Sequence, residues 1–246
     1  MYTACVLGAT GSVGSSIVKQ LVASDRCAKV VILHRREVVV TSPPSPKVIC
    51  HVIDIAKYDD AQVLSSLAQR MSSCDSVFMT LGVGAPSKVS KSELKRVDYE
   101  MCVALMSVAA STGVKHASVM TAAGADSRRI EPWYLPSTTM AAGAYYSSIK
   151  GMVEDDVKAM PFPSVSIFQP STLLGAPNTP KIMEYLAPAL RIVLPTFAWD
   201  IHVDELACAM VKQGEEAIDK GRAASWTTRE RLAFQVQDCR KWSSGT

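Results

Sequence analysis

The chain has 246 residues, 48% of them apolar, and its 26 Lys and Arg against 23 Asp and Glu leave a net charge of +3. That length supports one large domain with a substantial core; the composition is too apolar for a disordered segment, and the basic residues are too scattered for a nucleic-acid stripe. Seven widely spaced cysteines with no C-x-x-C, and four histidines without ligand spacing, argue against a disulfide framework or a structural zinc and fit reduced thiols inside a cell.

The predicted elements alternate. Thr3–Leu7 reads as a short buried strand, and Ser12–Ala23 as a helix with apolar residues at Val13, Ile17, Val18, Leu21 and Val22. Further strands are expected at Lys29–Leu33, Val48–Ile53, Ser76–Leu81, His116–Met120 and Val165–Phe168, with helices at Gln62–Met71, Leu94–Ser111 and Tyr146–Met160. Loops are marked at Thr41–Pro46, at Arg128–Gly143, where Pro132 and Pro136 preclude one regular helix, and between Pro177 and Pro195. Strands separated by helices imply parallel crossovers. The expected fold is α/β: a Rossmann-like doubly wound parallel sheet in a single domain over 1–246, with about 171–246 forming a small substrate-side region. The first residues enter a strand without a basic leader, and no apolar run approaches a membrane span. A cytoplasmic location is therefore expected, with an organelle address left open.

The stretch VLGATGSVG places Gly8, Gly11 and Gly14 at the first strand–helix junction. Glycines there permit a tight turn and close approach, and the helix N-terminus offers its N–H groups and positive dipole end to an anion. The expected guest is a dinucleotide pyrophosphate, bound by Gly8, Thr10, Gly11, Ser12, Val13 and Gly14. The spacing is G-x-x-G-x-x-G rather than the commoner G-x-G-x-x-G. An acidic residue at the end of the second strand would hold the ribose 2′-hydroxyl of NAD. This chain has Leu33-His34-Arg35-Arg36 there. A guanidinium fork suits a 2′-phosphate, so NADP(H) is favoured over NAD(H), with Arg35 as the main contact and Arg36 either a second contact or solvated surface. Asp54 either meets the adenine amine, with Ile55 beside the ring, or caps the next helix. Leu81 and Gly82 close the fourth strand, where small residues let a cofactor pass close to the backbone.

Tyr146-Ser147-Ser148-Ile149-Lys150 is Y-x-x-x-K. Positions four apart share a helix face, so an ammonium beside a phenol favours the phenolate, lowers its pKa and prepares it for proton transfer. Lys150 also reaches a nicotinamide ribose.

These stretches, with VDYEMCVALMSVAASTGVKHASVMTAAGAD, YSSIKGMVEDDV and SIFQPSTLLG, resemble the short-chain dehydrogenase/reductase superfamily. The nearest likeness is to its atypical members, grouped with the Tat-interacting oxidoreductase-like proteins, over about residues 3–212. IHVDELACAM resembles the late helix of extended members. The resemblance implies an NADP(H)-binding Rossmann fold and a serine–tyrosine–lysine arrangement for hydride transfer. It also makes Pro170-Ser171-Thr172, after the sixth strand, the family's proline turn near the nicotinamide, with backbone contacts at Ser171 and Thr172 or a plain turn as the alternatives, and it puts Asp98 where a polar residue often supports the site, a solvated helix carboxylate being the alternative. Two departures follow. Thr121 and Ala122 replace the family's paired serines, so Thr121 is the expected source of the hydroxyl that orients substrate oxygen. The 25 residues from Thr121 to Tyr146 exceed the family's spacing, so Trp133, Tyr134 and Leu135 either line a substrate pocket or pack elsewhere. The expected protein is an oxidoreductase acting on a small carbonyl or alcohol, monomeric or homodimeric, with a cofactor-sensing protein as the alternative; no nucleic-acid partner, membrane span or metal is expected.

Overall fold

The computed structural model describes residues 1–35, 44–129, 139–179, 200–220 and 225–227. Its strands are β1 (Tyr2–Leu7), β2 (Cys27–His34), β3 (Val48–Val52), β4 (Ser76–Met79), β5 (His116–Met120), β6 (Ser164–Phe168), β7 (Leu173–Leu174), β8 (Ile201–His202) and β9 (Ser225–Thr227). Seven of them form one parallel sheet in the order β3-β2-β1-β4-β5-β6-β9, while β7 and β8 pair separately. The helices are α1 (Ser12–Ala23), α2 (Ala61–Met71), α3 (Lys91–Lys95), α4 (Cys102–Ser111), α5 (Thr139–Ala159) and α6 (Val203–Lys220). The Rossmann-like doubly wound fold is the one expected.

Side-chain alternation divides the core in two. Cys5 and Leu7 of β1, with Val31 and Leu33 of β2, face Leu67, Met71, Leu105, Met106, Val153 and Val157 of α2, α4 and α5. Ala4, Val6, Val30 and Ile32 face Val13, Ile17, Val18 and Leu21 of α1, and Leu206 and Met210 of α6. Burial on both faces explains why the central strands read as unbroken apolar runs. Because β1 lies between β2 and β4, the chain reverses its direction of winding there. A crevice opens at the carboxyl ends of these strands.

Two differences from the sequence reading matter. The expected long helix after β4 is helical from Lys91 to Ser111 but passes through a π-helical stretch, Arg96–Met101, between α3 and α4. The helix bearing Tyr146 begins at Thr139, not Tyr146. No proline follows Pro136 before it, and Met140, Ala141 and Ala142 are good helix formers. Helix α6 and strand β9 belong to the layers of the main sheet. Ser16 Oγ donates to Asp204 Oδ1 at 2.5 Å, and Glu215 Oε1 accepts from Tyr2 Oη at 3.2 Å and Ser24 Oγ at 2.6 Å, so α6 is tied to α1 and β1 by polar as well as apolar contacts. Among the described residues, no helix is long and apolar enough to cross a membrane.

Candidate functional site

Gly8 ends β1 with φ +91°, in the left-handed region. A methyl on it would meet Thr80 Oγ1 at 2.8 Å and the Thr80 carbonyl carbon at 2.9 Å. The Gly11 N–H donates to the Gly8 carbonyl at 2.9 Å and closes the turn. Gly14 packs directly on that same carbonyl, with no room for a side chain. Gly11 is the N-cap of α1, makes no side-chain cap, and is followed by no acidic residue in the first turn. The positive end of α1 is thus left for an outside anion.

A cleft of about 440 Å³ lies over this turn. Gly8, Thr10, Gly11, Arg35, Ile55, Leu81 and Gly82 line it, so these expected contacts are brought together. Ser12, Val13 and Gly14 form the first turn of α1 and do not line it; Val13 and Gly14 are buried. Asp54 is exposed, does not line the cleft, and starts the 3-10 turn Ile55–Lys57 without a side-chain cap. The next helix, α2, is capped instead by Asp60, which accepts from the N–H groups of Gln62 at 2.8 Å and Val63 at 3.1 Å. Arg36 lies outside the described residues. The sequence reading passed over His34: it lines the cleft, is 8% exposed, and among the described residues has no hydrogen-bond partner for either ring nitrogen. A glycine cradle, an open helix N-terminus, a guanidinium and an unpartnered buried imidazole together fit a phosphorylated, hydroxyl-rich dinucleotide.

The chemical centre stands on α5. Tyr146 and Lys150 share a face, with Lys150 Nζ 5.6 Å from the phenol ring centroid. Tyr145 turns away and donates to the Lys91 carbonyl at 3.3 Å. Lys150 is 3% exposed and pairs with Asp98 Oδ1 at 2.8 Å. Asp98, itself 1% exposed, also accepts the Val83 N–H on Oδ2 at 2.9 Å. It sits in the π-helical stretch and is a buried partner of the lysine, not a solvated carboxylate. π-Bulges recur at functional sites, and a buried ammonium requires such a partner.

The electrostatics correct one expectation. Burial pushes the Tyr146 phenol above its ordinary range; Lys150 pulls it down, while Asp98 and Cys102 add to the rise. The ammonium does not win, because burial of the phenol outweighs its pull. Burial works against the charged form of Lys150, but Tyr146, Asp98 and Cys102 more than compensate and raise its pKa. The resting pair is therefore a neutral phenol beside an ammonium.

A second cleft, of about 510 Å³, adjoins Tyr146 and is lined also by Ala122, Ala123, Arg129, Ser147, Pro170, Ser171 and Thr172. Thr121 is not brought to it. Its hydroxyl is buried, donates to Glu154 Oε1 at 2.7 Å and lies 3.3 Å from the Phe168 carbonyl. Glu154 also accepts from Gln169 Nε2 at 2.6 Å and Lys158 Nζ at 3.3 Å, so this network joins α5 to the ends of β5 and β6. The residue that does line the cleft at the end of β5 is Ala122, which has no hydroxyl. Ser147 donates to the Gly124 carbonyl and accepts from Arg129 Nη1 at 3.3 Å. The sequence reading missed Glu154, Ser147 and Arg129. For Glu154 a signal existed, since it lies four residues beyond Lys150 on the same helix face. Trp133, Tyr134 and Leu135 lie outside the described residues.

Comparison with known proteins bears on the same region. A family profile described as NAD(P)H-binding matches residues 8–189. Protein FMP52-1, mitochondrial, of Scheffersomyces stipitis is 25% identical over 230 residues, covering 89% of this chain and 91% of that protein. Protein HTATIP2 of Rattus norvegicus is 25% identical over 182 residues, covering 74% and 67%. The solved structure of the oxidoreductase ylbE from Lactococcus lactis aligns with a TM-score of 0.60 at 19% identity, over 89% of this chain and 88% of that one, a likeness of fold alone.

Proposed function

The chain belongs to the NAD(P)H-binding family as an atypical short-chain dehydrogenase/reductase, and from that premise we propose that it is an NADP(H)-dependent oxidoreductase acting on a carbonyl or alcohol. The observation that carries this reading is Tyr146: a phenol on a cleft wall, set against an ammonium that Asp98 ties to the loop after β4. A bound nicotinamide dinucleotide supplies or accepts the hydride at the substrate carbon. In reduction Tyr146 gives its hydroxyl proton to the substrate oxygen; in oxidation it takes that proton back. Lys150 stabilises the phenolate while it exists. Gly8, Thr10 and Gly11 hold the diphosphate at the N-terminus of α1, whose first turn is Ser12, Val13 and Gly14, and Ser171 and Thr172 after Pro170 flank the substrate end. Thr121 takes no part at the reacting oxygen, because its hydroxyl is committed to Glu154.

NADP(H) preference rests on Arg35, a cleft-lining guanidinium at the end of β2 where no carboxylate stands. The Arg35→Ala variant is expected to weaken NADPH binding about ten-fold or more while leaving NADH nearly unchanged; equal losses for both cofactors would refute the assignment.

A second reading has its own support. Ala122 occupies the cleft position where the family carries a hydroxyl, which suits a protein that senses NADP(H) with little turnover. The two readings separate in one experiment: NADPH oxidation against a panel of aldehydes and ketones, with Tyr146→Phe as the comparison. The oxidoreductase reading predicts turnover that falls on the order of 10²–10⁴-fold in the variant, as loss of a positioned proton donor does. No turnover in the parent, with cofactor-dependent partner capture, favours the sensor. The name of the fungal relative carries a mitochondrial location; cell fractionation of the tagged chain decides between that compartment and the cytoplasm expected from the sequence.

A further inference from the structure

Arg129 is the one charged side chain among the described residues lining the cleft beside Tyr146. The other walls are Ala122, Ala123, Gly143, Ala144 and Pro170, with the hydroxyl-bearing Ser147, Ser171 and Thr172. No carboxylate is among them to repel an anion or to occupy the guanidinium. Arg129 is exposed, and among the described residues its Nη1 touches only neutral acceptors: the Gly124 carbonyl at 3.4 Å and Ser147 Oγ at 3.3 Å.

Among the described residues, the acid nearest in sequence, Asp126, is already engaged. Asp126 Oδ1 accepts from the Arg128 N–H at 3.1 Å and from Arg128 Nε at 3.4 Å. Arg129 itself forms no ion pair among the described residues, and its Nε and Nη2 meet no acceptor there. The seat is also shaped for it. Gly124 adopts φ +76°, and a methyl on that glycine would stand 3.4 Å from Arg129 Nη1. Ser147, the residue after Tyr146, is buried and fastened to the Gly124 carbonyl. The guanidinium is thus positioned on the wall that carries the phenol, with part of its donor fork unused by any described residue. Such a fork matches the paired oxygens of a carboxylate or a phosphate.

We infer that the substrate of this cleft is a carbonyl compound, or the corresponding alcohol, bearing an oxyanion group, and that Arg129 receives that group while Tyr146 meets the carbonyl oxygen. This rests on the oxidoreductase reading for the reaction but not for the binding, and the test keeps them apart. Three probes of similar shape are used: 4-carboxybenzaldehyde, 4-formylphenyl phosphate and the uncharged 4-methylbenzaldehyde. Binding to the NADP⁺-saturated protein is measured by calorimetry, and turnover with NADPH is measured alongside, in the parent chain, Arg129→Gln and Arg129→Lys. The expected result is that at least one anionic probe binds ten-fold or more tighter than the neutral one. Arg129→Gln brings that ratio close to one, and Arg129→Lys restores part of it. The better of the two anionic probes identifies the group as carboxylate or phosphate. No preference in the parent, absence of binding by all three probes included, or a preference that survives in Arg129→Gln, overturns the inference. Anion-selective binding without NADPH oxidation would sink the oxidoreductase reading and leave this one standing.

Discussion

Asp98 serves two partners at once: Oδ1 holds Lys150 Nζ at 2.8 Å and Oδ2 takes the Val83 N–H at 2.9 Å. Its charge also helps to keep the Tyr146 phenol protonated. The sign of a substitution follows. Asp98→Asn removes a charge that raises the phenol pKa and leaves the Lys150 charge, which lowers it, unanswered. Carbonyl reduction needs the protonated phenol, so its alkaline fall is expected at lower pH in the variant. Alcohol oxidation, which needs the phenolate, is expected to rise at correspondingly lower pH. Profiles of kcat/KM against pH in both directions check this, and an unmoved alkaline limb contradicts it. Stability is expected to fall by about 3–5 kcal/mol, as when a buried ion pair loses one member. The Tyr146–Lys150 pairing was legible in the sequence because four-residue spacing fixes a shared helix face. The aim of Thr121 was not. Knowing which residue ends β5 does not say which way its hydroxyl points, and the acceptor that decides it, Glu154, lies 33 residues away in sequence.

The β1–α1 junction carries the cofactor assignment, and its geometry allows little substitution. A methyl at Gly14 collides with the Gly8 carbonyl, so Gly14→Ala must open the turn. The expected cost is about 1–3 kcal/mol of overpacking strain, with NADPH affinity reduced ten-fold or more. Thermal unfolding and calorimetric titration of the same sample read the two effects; unchanged affinity would show that this turn does not hold the diphosphate. The alternation of buried strands and amphipathic helices made most elements readable, because period and burial report directly on each other. The π-helical stretch was not readable, since a local change of winding leaves the apolar pattern of the long helix intact. The sequence offered α6 only as a resemblance over IHVDELACAM. Its inward face includes the small residues Ala207 and Ala209 beside Leu206 and Met210, and its burial depends on α1, nearly two hundred residues earlier in the chain.

At the scale of the whole molecule, the sheet buries a group whose titration contributes to acid stability. His116 opens β5 fully buried, with Nδ1 3.1 Å from Ser164 Oγ, and burial pushes its pKa down to about 4. An unfolded imidazole titrates near about 6.5. As pH falls from that value towards the folded pKa, the unfolded chain gains a proton that the native state refuses. Stability is therefore present above the unfolded pKa and is progressively lost as acid is added, by on the order of 3 kcal/mol. Urea unfolding at stepped pH is expected to show this loss in the parent chain and a smaller one in His116→Gln; equal acid sensitivity in both would assign the loss to other groups. The central claim itself concerns what the crevice between β1 and β4 holds. Its most direct test is calorimetric titration of the folded chain with NADPH and with NADH. The account predicts saturable uptake of one NADPH per chain, tighter than NADH; a folded protein that takes up neither would contradict it.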